Sequence, residues 1–247
     1  MLQDFIGGLQ FLTTIRLTRN MIWSPIVCGR SVRYFPLVGA VIGVLLVGID
    51  ILISSYLPPA IKAAVLLITA TVLTGGLHSD GLMDTADGLL AGGSRQRMLD
   101  IMKDSRVGSF GIITYVSVIL LKWSLLFELI GDERLAALIV MPVLGRFAMT
   151  IGITLFPYAR PDGIGKAFAQ YAGRPALFMA ALWTVLITAG CGLTAWAALA
   201  ATTVFALLLA CYASDRLGGL TGDVYGAITE LTETLVLLTY VVAARVG

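Results

Sequence analysis

Long apolar stretches separated by short charged clusters run through most of this chain, so each stretch is weighed against the thickness of a bilayer. A helical crossing needs about 20 mostly apolar residues. Seven segments reach or come near that length: 35–57, 61–77, 110–130, 135–156, 176–193, 195–213 and 224–244. The uncharged run 176–213 would make a single helix of roughly 57 Å against a hydrocarbon core of about 30 Å. It is therefore expected to fold back on itself, with Gly192 as the break. The first residues follow another pattern: Leu2, Phe5, Ile6, Leu9 and Leu12 recur at helical spacing and Arg16 and Arg19 follow, as in a helix lying in the membrane interface. The expected fold is all-α. It is a polytopic integral membrane helical bundle of about six to seven transmembrane helices plus an N-terminal interfacial helix, one domain over residues 1–247.

Composition strengthens this picture. Apolar residues make up 58% and charged residues 13%, where a soluble domain carries about 25% charged residues. The 17 Lys+Arg and 15 Asp+Glu give a net charge of +2, so no basic surface for nucleic acid is implied. Cys28, Cys191 and Cys211 are widely separated and point to neither a disulfide framework nor a zinc site. Asp4 near the start and the lack of a small-residue cleavage site argue against a removable signal peptide. With the N-terminus inside, Arg16, Arg19, Arg30, Arg33, Arg95, Arg97, Lys103, Arg106, Arg160, Lys166, Arg174 and Arg216 share one side, against Lys62, Arg134 and Arg245 on the other. The positive-inside rule then places the N-terminus, and the loops after the second, fourth and sixth spans, in the cytoplasm of a multi-pass protein of the cell (inner) membrane.

The richest chemistry lies in GGLHSDGLMDTADGLLAGGSRQRMLDIMKDSRVGSFG, residues 75–111. If residues 80–88 are helical, Asp80, Asp84 and Asp87 fall within an arc of roughly 60°. Ser94 is a plausible N-cap, opening a helix that carries Asp100 and Asp104 one turn apart. Carboxylates this crowded repel one another unless a cation lies between them, and hard oxygen donors suit Mg²⁺ or Mn²⁺. A solvated acidic loop balanced by Arg95, Arg97, Lys103 and Arg106 is the plainer alternative. Those four basic residues fit topology anchors or contacts to anionic phosphate oxygens. His78, the only histidine, suits a metal ligand, a base or a packed side chain. A second constellation, DRLGGLTGDVYGAITELTE at residues 215–233, places Thr221, Asp223, Glu230 and Glu233 at the entrance of the last span. Arg30, Arg33 and Tyr34 precede FPLVG and form a third element. Asp50 and Glu128 are candidates to pair with Lys122 or Arg146 inside the bundle.

These segments resemble the cobalamin synthase family, the adenosylcobinamide-GDP ribazoletransferases. The likeness rests on FPLVG (residues 35–39), TGGLHSDGLMDTADG (74–88), RMLDIMKDSRVGSFG (97–111) and LGGLTGDVYGAITELTE (217–233), and it spans nearly the full chain. Ser79 and Met83 stand where the family more often has an apolar residue and alanine, and neither removes a carboxylate. The resemblance implies a transferase of substituted phosphate groups. Adenosylcobinamide-GDP and alpha-ribazole, or its 5'-phosphate, would give adenosylcobalamin, or its 5'-phosphate, and GMP, with Mg²⁺ as one or two ions. On that footing Asp80, Asp84 and Asp87, with Asp100 or Asp104, hold the metal, and one aspartate or His78 moves the proton. Arg33, Arg95, Arg97, Lys103, Arg106, Thr221, Asp223, Glu230 and Glu233 are the substrate-contacting candidates. A homo-oligomer or an association with other cobalamin-assembly enzymes is compatible with it. Two alternatives are weighed: a membrane transporter, whose sites should lie at the bilayer midplane of repeated halves, and a lipid head-group transferase resembling the CDP-alcohol phosphotransferases, which shares the metal logic.

Overall fold

The computed structural model describes residues 1–18 and 24–246; Arg19 lies outside the described residues. Eleven α-helices follow one another among them: α1 (Leu2–Leu12), α2 (Pro25–Ser31), α3 (Phe35–Ile53), α4 (Pro59–Thr74), α5 (Leu77–Ala91), α6 (Arg95–Ile101), α7 (Ser109–Glu128), α8 (Gly131–Leu155), α9 (Ile164–Ala189), α10 (Leu193–Leu217) and α11 (Gly222–Val246). A 3-10 turn, Val32–Tyr34, joins α2 to α3. Six helical segments are long and apolar enough to cross a membrane: Pro25–Ile53, α7, α8, α9, α10 and α11. Their outward faces carry exposed Ile112, Ile113, Leu120, Phe178, Leu186, Val204 and Leu208, a surface that lipid solvates and water does not.

The second expected span differs from the expectation. Helix α4 has only 16 residues, and α5 leaves it at 89°. The bend is made at Gly75 and Gly76, both in the left-handed region with φ of 62° and 71°, where a Cβ would be strained. Helix α5 therefore lies across the ends of neighbouring helices. Its residues meet the first turns of α11 at Gly81, and Gly108 and Gly111 at the start of α7. Together α4 and α5 are long and apolar enough for one bent crossing or a re-entrant segment. Gly192, with φ of 85°, separates α9 from α10, as the length argument required. Helix α9 starts earlier than expected, at Ile164, and is broken at Gly173 (φ 63°) before Pro175.

Helix α8 is the centre of the bundle, its apolar window 83% buried against 22% for α7. It packs closest on α3, where glycines remove the side chains that would separate the backbones: a Cβ on Gly39 would lie 2.4 Å from the Pro142 carbonyl oxygen, and one on Gly43 2.7 Å from the Ile139 Cα. The FPLVG signature is thus a packing seam. Helix α1 packs on this seam's outer end, burying Leu9 and Leu12, with Gly8 against Ser31.

Two ends of the bundle are distinguishable. At one end Asp50 pairs with Arg134 (2.7 Å) and Lys62 (3.8 Å), and Glu128 with Arg245 (2.7 Å). Between the ends, Lys122 binds Glu230 and Glu233, and Arg146 binds Glu233. These partners replace the expected pairing of Asp50 or Glu128 with Lys122 or Arg146: Asp50 and Glu128 sit at the end of the bundle, a long way along α7 and α8 from the two inner cations. The other end gathers α5, α6, the start of α11 and the loop after α8.

Candidate functional site

The site is built where α5 crosses α11. The crossing is close because both helices present glycine. A Cβ on Gly81 would lie 2.6 Å from the Asp223 carbonyl oxygen, and one on Gly226 would lie 3.0 Å from the His78 carbonyl oxygen. Asp80 and Asp84 on α5 are thereby set beside Asp223. Asp80 is exposed and Asp84 and Asp223 are part-buried. Partial burial, followed by the nearby Asp223 and Asp80, pushes the Asp84 carboxyl up to about 7, against the opposing pull of Arg160. The helix over residues 80–88 is as the spacing predicted; of its three acids, Asp80 and Asp84 lie at the crossing.

Asp87 has a different position. It is buried, and its two oxygens accept hydrogen bonds from the backbone N–H of Gly108 (2.7 Å) and Gly111 (2.8 Å). It thus caps the start of α7, where a carboxylate also complements the helix dipole. Gly108 and Gly111 are needed there because a Cβ on either would fall within 2.5 Å of an Asp87 oxygen. Ser94 caps α6 by accepting from the Arg97 N–H at 3.3 Å, as expected. Helix α6 ends at Ile101, so Asp104 is not on it. Asp104 is gripped by Arg106 (2.7 Å), which holds its carboxyl down to about 2, and both are exposed. Asp100 is exposed and accepts from Gln96 at 2.8 Å. Among the described residues, no three His, Cys, Asp or Glu side chains close on a common point as a metal cage.

The basic candidates divide likewise. Arg95 donates to the Ala159 carbonyl (3.1 Å) and lies over Gly218, so it holds the loop after α8 against the end of α10. Arg97 and Lys103 are exposed. Arg33 sits on the 3-10 turn with its Nε buried and without a partner among the described residues. Thr221 is buried. Its hydroxyl lies 3.2 Å from Asp223 and accepts from the Val224 N–H (3.3 Å), which caps α11. Glu230 and Glu233 lie deeper than the span entrance, in the network with Lys122 and Arg146, and Ser79 donates to Glu230 at 2.9 Å.

Two site residues were not read from the pattern. Arg160, seen only as a topology anchor, pairs with Asp223 at 2.7 Å and is largely buried. Tyr158 packs over Gly163 and Gly165. Both are placed by a tertiary contact: Ala159 N–H donates to Leu220 (2.8 Å) and Leu220 N–H to Pro157 (2.8 Å), zipping the loop to the turn before α11. Gly219 permits this with φ of 140°, its missing Cβ leaving room for the Pro157 carbonyl. The one available signal was a charged loop between apolar spans.

A cavity of about 250 Å³ opens here, bounded by Asp80, Arg160, Asp223 and the starts of α9 and α11 at Gly163 and Gly222. Helix N-termini carry unpaired N–H groups and partial positive charge, which suits phosphate. His78 is buried between this cavity and the inner cations Lys122 and Arg146; burial first, then Arg146 and Lys122, hold its pKa well below the usual value.

Comparison with known proteins places the chain in a family. A family model described as cobalamin-5-phosphate synthase matches residues 4–241. The chain is similar to an adenosylcobinamide-GDP ribazoletransferase of Desulforamulus reducens, 43% identical over 212 residues and covering 84% of each chain. Another protein of that name from Pseudomonas fluorescens is 41% identical over 236 residues (94% of this chain, 96% of the relative), and one from Geotalea daltonii 38% over 252 residues (98% of each). No solved structure matches the chain.

Proposed function

The chain belongs to the cobalamin-5-phosphate synthase family, and from that membership we propose that it is an adenosylcobinamide-GDP ribazoletransferase whose reaction centre is the crossing of α5 and α11. It joins adenosylcobinamide-GDP to alpha-ribazole or its 5'-phosphate and releases GMP, a late step of cobalamin synthesis. The observation that carries this reading is that Asp80, Asp223 and Arg160 line one cavity with two helix N-termini, with Asp84 one turn from Asp80 on the same helix. Such a site has anionic donors for a cation and positive groups for phosphate.

Mg²⁺ suits these donors, because it takes one or two protein carboxylates and completes its shell with water and substrate phosphates. Pairs drawn from Asp80, Asp84 and Asp223 would hold one or two ions, because among the described residues no three such side chains close on one point. Bound there, the ion supplies neutralisation of the pyrophosphate charge. Asp100 and Asp104 are left out of the set, because α6 and the turn after it carry them outside the α5–α11 crossing.

The protein's own groups do the rest. Arg160 and the N-terminal end of α9 at Gly163 orient the phosphate oxygens. The ribose hydroxyl of ribazole attacks the phosphorus attached to cobinamide, its bond to the GMP oxygen breaks, and GMP leaves. Asp80 or Asp84 accepts the hydroxyl proton, directly or through one water. The charge asymmetry between the two bundle ends, with Arg30, Arg95, Arg97 and Arg216 at the site end, supports a cytoplasmic site in the cell membrane. The test is GMP formation by purified protein given Mg²⁺, adenosylcobinamide-GDP and alpha-ribazole. Turnover by the wild type and its loss in a folded Asp84→Asn variant are expected; undiminished turnover in that variant overturns the assignment.

A further inference from the structure

The 250 Å³ cavity has two unlike parts. Its mouth carries Asp80, Arg160 and Asp223, while its floor is made of apolar side chains that include Phe35, Met149, Ile153 and Phe168. Among that lining stands a buried polar group without a partner among the described residues: the Tyr225 hydroxyl, on a residue 4% exposed. A buried polar group left unpaired is costly, and a native fold retains one chiefly where a ligand or water completes it.

We propose that this cavity binds the flat heteroaromatic base of the ribazole nucleoside, with the Tyr225 hydroxyl donating to its free ring nitrogen and its ribose held at the mouth. The inference rests on the ribazole-transfer reading and names the subsite for one of its two substrates. The dimethylbenzimidazole base has apolar edges and one acceptor nitrogen not used by the sugar bond. That matches a mostly apolar lining with one unpartnered hydroxyl donor. Guanine carries polar groups on nearly every edge and would leave most of them against Phe and Ile side chains, at a desolvation cost. A corrin macrocycle exceeds the volume. Seating the base inward also leaves the ribose beside Asp80 and Asp223, where its hydroxyl must lose a proton to attack phosphorus.

Tyr225→Phe tests this with little structural cost, because the hydroxyl it removes bonds to nothing among the described residues. The enzyme is assayed with each substrate varied in turn, and ribazole binding is measured by equilibrium dialysis with Mg²⁺ alone. The KM and Kd for alpha-ribazole should rise roughly three- to tenfold, the range for one neutral hydrogen bond, while the KM for adenosylcobinamide-GDP stays put. Ile153→Phe, which narrows the floor, should penalise the dimethylated base more than the ribosyl benzimidazole without methyl groups. If Ile153→Phe fails to fold, Tyr225→Phe decides alone. Unchanged ribazole constants in Tyr225→Phe, or a shift in the corrinoid KM instead, overturn the subsite. Absence of GMP formation by the wild type overturns the transfer reading itself, which keeps the two failures apart.

Discussion

Gly81→Ala isolates the helix crossing on which the site depends. The added Cβ would lie 2.6 Å from the Asp223 carbonyl oxygen and 3.0 Å from its Cα, where ordinary contact begins at 3.4 Å. Both obstacles are backbone, so no side-chain rotation relieves them, and α11 must retreat by about 0.8 Å. That shift moves Asp223 away from Asp80 and Asp84, and misplacing a reacting group by about 1 Å costs on the order of 10²-fold. We expect kcat/KM to fall by about 30- to 100-fold. Overpacking of about 1–3 kcal/mol is partly offset by about 1 kcal/mol from replacing glycine inside a helix, so the melting point should drop by only a few degrees. The assay is GMP release in detergent beside thermal unfolding followed by circular dichroism. Gly48→Ala is the control, since nothing lies within 4 Å of its Cβ, and it should match the wild type in turnover. If Gly81→Ala turns over within threefold of the wild type, the geometry of the crossing does not govern the chemistry.

Three further outcomes follow from the partners described. Glu233→Gln leaves Lys122 with Glu230 and takes from the buried Arg146 its carboxylate partner, which should cost about 3–5 kcal/mol; adding Arg146→Gln restores the balance and should recover part of the lost melting temperature, whereas simple additivity would contradict the network. Asp87→Ala removes both acceptors at the start of α7, costing about 1–2 kcal/mol, and amide exchange at Gly108 and Gly111 should speed up; unchanged exchange would deny the cap. Asp104→Asn should keep near-normal GMP release, because its carboxylate is already satisfied by Arg106, while Asp84→Asn should not; equal losses would return Asp104 to the reaction centre.

Periodicity and punctuation made the elements legible. Register along residues 80–88, the Ser94 cap and the Gly192 break are local properties, and each holds in the structure. Asp80, Asp84 and Asp223 could be named from residue type and spacing for the same reason. Partner choice was not local. Lys122 and Arg146 find Glu230 and Glu233 only because α7, α8 and α11 pack together, and Asp50 finds Arg134 across the α3–α8 seam. Asp87, alike in type to Asp84, is withdrawn into a cap by a backbone turn 21 residues downstream. Arg160 joins the site through the pairing of its loop with Leu220, which no pattern of apolar and polar positions records.

The central claim is that the acids where α5 crosses α11 take up Mg²⁺ to carry the transfer. Titration calorimetry of Mg²⁺ into the purified protein with adenosylcobinamide-GDP present, repeated with Asp84→Asn, tests it most directly. Saturable uptake of one or two ions by the wild type, greatly weakened in the variant, is the expected result. No uptake by the wild type, or equal uptake by both proteins, contradicts the account.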